Sequence, residues 1–169
     1  MTSAAPARSR PDWSGDERSQ LAQVLDYNRA SVRLKAEGLT DEQARQRLTP
    51  SPLTSIAGIV SHLVWVEHYW IEDVLGRREV TYPWSDEYPD ADWEQGDTRA
   101  LTELLDDYDA VCETGRQIIA GLDLELIVSP ESKQPISVRA TLLHLIEETA
   151  RHVGHIDILR ELTDGVTGE

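Results

Sequence analysis

Three of the chain's five histidines, His144, His152 and His155, lie in one stretch near its end, with Glu147 and Glu148 between them: SVRATLLHLIEETARHVGHIDILREL, Ser137 to Leu162. In a helix, residues three and four apart share a face. At about 100° per residue, His144, Glu148 and His152 fall within a band about 80° wide, and His155 lies inside it. Leu142, Leu145, Ile146, Val153 and Ile156 form the apolar stripe beside that band, so these polar groups border a core rather than open water. A carboxylate and an imidazole one turn apart can close on a single divalent cation. Two ligands from one helix leave such a site incomplete, and a facing helix has to supply a third. The candidates are His62 and His68. His62 is flanked by Ile59, Leu63 and Val66 and should face inward; His68, beyond Glu67, points about 120° away, toward solvent.

These side chains need long elements to carry them. Ser137 is a good N-cap and Asp164-Gly165 a good stop, which predicts a helix of about seven turns over residues 137–163. Helical spacing of apolar residues predicts three more, over 16–37, 54–76 and 98–121. The first is introduced by Ser14 and Glu17 as a capping box and ended by Gly38. The second is capped by Thr54 or Ser55, and the third starts at Thr98. Leu39 to Pro52 reads as a connector with a short helical turn. Leu122 to Ile136 reads as a polar connector with a short strand or turn. Arg77 to Asp97 (RREVTYPWSDEYPDADWEQGD) is acidic and rich in Trp, Tyr and Pro. An insertion of this length is either a functional lid or a packed Ω-loop whose aromatics cover the core. The expected architecture is all-α: a four-helix bundle over residues 14–165 with a long crossover loop after the second helix, preceded by a disordered lead over 1–13.

The charge balance, 31 acidic against 16 basic residues for a net −15, argues against nucleic acid or an anionic membrane as partner, since phosphate contacts need clustered Lys and Arg. No apolar run approaches the ~20 residues of a membrane span. The lone Cys112 precludes an intramolecular disulfide, and together with a start that lacks a signal-peptide core this points to a cytoplasmic protein.

The pairing of His62-Leu63 in the second helix with Glu148-x-x-x-His152-x-Gly154-His155 in the last resembles the DinB-like superfamily of metal-binding four-helix bundles. The segment ETARHVGHIDILRE is similar to the actinobacterial branch that includes mycothiol-dependent maleylpyruvate isomerase. Where that superfamily commonly has a histidine, this chain has Glu148, and His155 stands where glutamine is usual. Carried over position by position, the resemblance implies metal ligands His62, Glu148 and His152; His155, on one face with His152, is the alternative ligand. It also implies mycothiol or a related low-molecular-weight thiol as cofactor.

Two imidazoles and one carboxylate suit Zn²⁺, with Ni²⁺, Mn²⁺ or Fe²⁺ as alternatives. Three protein ligands leave a coordination position open, as in catalytic rather than structural sites. His144 and His155 are then the candidates for proton transfer, and Glu67 and Trp70 for the wall of the cofactor pocket. Three readings follow. The first is a metal-dependent thiol transferase or isomerase acting on a small electrophile. The second is a hydrolase using metal-activated water. The third is a non-catalytic, stress-associated metal-binding bundle, a homodimer through an exposed apolar helix face.

Overall fold

A computed structural model of the chain describes residues 8–129 and 134–167; most of the N-terminal lead, residues 1–7, lies outside the described residues. Four long helices carry the structure: α1 (Glu17–Ala36), α3 (Ile56–Glu67, continued by His68–Leu75), α5 (Leu101–Ala120) and α6 (Val138–Asp164). Short helices α2 (Asp41–Ala44) and α4 (Ala91–Glu94) sit in the connections, and two-residue strands β1 (Ile127–Val128) and β2 (Ile136–Ser137) pair antiparallel ahead of α6. The fold is all-α, α1 packing along α6 and α3 against α5, with α3 also reaching α6. Its core runs in two linked clusters. One gathers Val32, Ile59, Leu104, Tyr108 and Ile156, and the other Leu25, Ile71, Val74, Leu142 and Leu145. Among the described residues no helix is long and apolar enough to cross a membrane.

Most helix ends follow from local chemistry. Ser137 accepts from the Ala140 N–H and Ser55 from the Gly58 N–H. Gly165, at φ +77°, closes α6 in the left-handed conformation that glycine adopts without strain. Two starts differ from expectation. The cap of α1 is Asp16, whose side chain accepts from Ser19 N, because Asp12 takes both the N–H and the hydroxyl of Ser14. α5 begins at Leu101 rather than Thr98, and its first N–H is satisfied by Asp41 of α2, 60 residues away in sequence.

A third difference concerns winding. From His68 to Leu75 the second long helix widens to a π-helix, so that the Gly76 N–H reaches Ile71 O, five residues back, at 2.7 Å. Such segments are rare and often occur at functional sites. The looser winding turns less per residue. His68, Tyr69 and Trp70 all stay half-buried and join one aromatic belt with Trp65, Tyr82 and His144. The crossover loop is also not structureless. Its second half forms α4 and a 3₁₀ turn (Gln95–Asp97), both laid against α3.

Candidate metal centre

His62 lies on α3 and Glu148 and His152 on α6, where the two helices face each other. Glu148 Oε1 is 3.1 Å from His152 Nε2 and 3.4 Å from His62 Nε2, and one potential ligand atom from each of the three residues lies within 4.8 Å of the others. Two ligands bound to Zn²⁺ at about 2.05 Å and a tetrahedral angle are separated by roughly 3.3 Å. The two carboxylate–imidazole spacings match such an edge.

The electrostatics suit a cation at that point. His62 Nδ1 is 2.7 Å from Asp92 Oδ2 on α4. A carboxylate only accepts, so this short contact favours the tautomer with the proton on Nδ1, which leaves the Nε2 lone pair toward the longer, 3.4 Å contact with Glu148. Burial lowers the pKa of His152 to about 4, the neighbouring His62 adding to the shift and Glu148 opposing it; its imidazole is therefore neutral at pH 7. Burial works against ionisation of Glu148, but the two imidazoles facing it prevail and its pKa is lowered. Two imidazole nitrogens and an anionic oxygen thus converge on one small volume. The donor chemistry and the spacings both fit a divalent ion.

The surrounding groups hold this arrangement. Arg151, one turn along α6, donates to the second oxygen of Glu148 at 3.1 Å, which leaves Oε1 to the imidazoles. The indole of Trp93 stacks on the His62 ring, 4.2 Å between centres and 18° from parallel, and stands edge-on to His152 at 5.6 Å. Asp92 and Trp93 were not among the residues singled out from sequence. The acidic, Trp-rich composition of the loop marked the segment as functional, but nothing in it ranks Asp92 above Asp86, Asp90 or Glu94.

The other candidates lie around or away from the trio. His155 is exposed, its ring 5.4 Å from that of His152. His144 is half-buried and packs edge-on against Trp70 at 4.7 Å, within the aromatic belt. His68 sits beside Trp65 and Glu72. Glu67 is turned into the core, 1% exposed, with its two oxygens 2.7 and 2.6 Å from Arg29 Nε and Nη2. The Cys112 thiol is 3.8 Å from Glu67 and equally buried. Burial first, and then the Glu67 carboxylate, push the thiol pKa well above its ordinary value.

Comparison with known proteins agrees with this architecture. A family model described as mycothiol-S-transferase matches residues 20–165. Among solved structures, a conserved protein from Enterococcus faecalis is similar over 90% of this chain and 100% of its own, at 15% identity and a TM-score of 0.68. A DinB-like protein from Bacillus cereus ATCC 10987 is similar over 89% of this chain and 95% of its own, at 18% identity and a TM-score of 0.64. At these identities the likeness is one of fold. No curated protein matches the chain.

Proposed function

Because the chain belongs to the mycothiol-S-transferase family, we propose that it joins a low-molecular-weight thiol of the mycothiol type to a small electrophile at a divalent-metal centre held by His62, Glu148 and His152. The observation that carries this reading is the convergence of one potential ligand atom each from His62, Glu148 and His152 within 4.8 Å. Zn²⁺ suits this donor set best, with Ni²⁺, Mn²⁺ or Fe²⁺ as alternatives; when bound, such an ion supplies a Lewis acid that favours the thiolate form of a thiol at neutral pH.

The chain's own residues prepare the site. Neutral His152 presents Nε2 without first shedding a proton. Arg151 fixes the rotamer of Glu148. Trp93 covers one face of His62 and keeps water from it. Exposed His155, beside His152, relays the thiol proton to solvent. The nucleophilic sulfur has to come from outside, because Cys112 is buried, held protonated and next to a carboxylate. The aromatic belt from Trp65 to Trp70 supplies an apolar, polarisable wall for the electrophile.

The test is dependence on thiol. With Zn²⁺-loaded protein and a thiol-reactive fluorogenic electrophile, conjugation should require mycothiol and saturate with its concentration. A hydrolase would instead turn over an ester substrate without thiol and be inhibited by it. Absence of any mycothiol-dependent conjugation above the uncatalysed rate would contradict the proposal.

A further inference from the structure

We infer that the α4 turn is a positioning device for the centre: Asp92, locked to α3 through Gly96, holds the proton of His62 on Nδ1 so that Nε2 presents its lone pair. The inference rests on the reading of His62, Glu148 and His152 as metal ligands, and it assigns a role to a segment outside that set.

His62 Nε2, at 3.4 Å from Glu148 Oε1, has two arrangements open to it. If Nε2 carries the proton, it donates to Glu148 and the two close on each other as an ordinary hydrogen bond, which uses the lone pairs a cation needs. If Nδ1 carries the proton, Nε2 presents a lone pair. Asp92 Oδ2, 2.7 Å from Nδ1, selects the second arrangement. Asp92 is buried, so water does not readily replace it as acceptor.

Asp92 holds that position because its backbone is fastened to α3 at successive turns. A Cβ on Gly96 would lie 2.5 Å from Gly58 N and 2.6 Å from Ala57 C, so the 3₁₀ turn lies directly on the first turn of α3 and tolerates no side chain there. The Ser61 hydroxyl donates to Asp92 O, and Trp65 Nε1 donates to Gln95 Oε1 at 3.1 Å. Arg45 Nε donates to Gly96 O from the other side at 3.1 Å. Ala57, Ser61 and Trp65 follow one another at four-residue intervals, so they line one face of α3, with His62 at its margin. Gly96 touches none of the three ligands. Its substitution displaces α4 and reaches the centre only through Asp92 and Trp93.

Asp92→Ala, Asp92→Asn and Gly96→Ala test this with two readouts. The first is the ¹⁵N shift of the His62 ring in metal-free, ¹⁵N-histidine-labelled protein at pH 8. Nδ1 should be of the protonated type in wild type. It should stay so in Asp92→Asn, whose carbonyl still accepts, and move toward the unprotonated type in Asp92→Ala and Gly96→Ala. The second is Zn²⁺ affinity by chelator competition, which should fall about 10–100-fold in Asp92→Ala, less in Asp92→Asn, and clearly in Gly96→Ala. Far-UV circular dichroism confirms the fold of each variant, and Asp92→Ala, which disturbs no backbone contact, carries the test if Gly96→Ala does not fold. A His62 proton that remains on Nδ1 in Asp92→Ala, or an unchanged Zn²⁺ affinity there, overturns the inference. A wild type that binds no Zn²⁺ overturns the metal reading instead. The role of Asp92 then stands or falls on the nitrogen shifts alone.

Discussion

Glu148 Oε1 is shared between two imidazoles, 3.1 Å from His152 Nε2 on its own helix and 3.4 Å from His62 Nε2 on the facing one. Without a cation the contact with His152 is a hydrogen bond between a buried neutral ring and an ionised carboxylate. The helix that carries both groups is anchored by Leu145 and Ile156, both fully buried.

The first prediction concerns pH. His152 has its pKa lowered to about 4 in the fold, against about 6.5 in an unfolded chain. Between those values the unfolded state binds the extra proton and the folded state does not. Stability of the metal-free protein is therefore fully present above pH 6.5 and is lost as pH falls toward 4, by up to about 1.4 kcal/mol per unit. Thermal unfolding in chelator at pH 7.5, 6.5, 5.5 and 4.5 should show this decline in wild type and a flatter one in His152→Gln. Parallel curves for the two proteins would refute the assignment.

Glu67 should matter to the fold and not to metal. Burial opposes the charge on Arg29, but Glu67 beside it keeps the guanidinium pKa above its ordinary value, so Arg29 stays charged. Removing one partner of a buried pair costs about 3–5 kcal/mol, because the other charge is left uncompensated. Glu67→Gln should lower the denaturation midpoint accordingly while metal stoichiometry stays at the wild-type value. A stable Glu67→Gln variant that has lost its metal would reverse the roles assigned here.

His155 should separate chemistry from binding. Because its ring is exposed and outside the trio, His155→Ala should retain metal and lose conjugation rate. Its effect should be largest where buffer cannot substitute as proton acceptor. Loss of metal in this variant would mean that His155, not His152, pairs with Glu148. Cys112→Ala should conjugate mycothiol as wild type does, a comparison that checks directly whether the sulfur is external.

Much of this was legible in the sequence because it depends on neighbours along the chain. Ser137 and Gly165 cap α6 through groups within four residues, and the i,i+4 spacing of Glu148 and His152 follows from any helix passing through them. What escaped depends on partners distant in sequence. Asp41 supplies the first bond of α5 across 60 residues, so Thr98 looked like the start. Asp92 meets His62 across 30 residues, and loop composition alone does not distinguish it from its acidic neighbours. The π-helical winding over His68–Leu75 leaves the apolar spacing of that segment close to that of an α-helix. Trp70 and His144, far apart in sequence, touch in a contact that neither residue's local sequence signals.

The most direct test of the centre is metal content in protein purified without a histidine tag, measured by mass spectrometry after Zn²⁺ loading and removal of free metal. Wild type should hold one divalent ion per chain. His62→Ala, Glu148→Ala and His152→Ala should each fall far below stoichiometry while remaining folded by circular dichroism, since each removes one of the three proposed protein ligands. Full occupancy retained in those three variants, or none in wild type, would contradict the account.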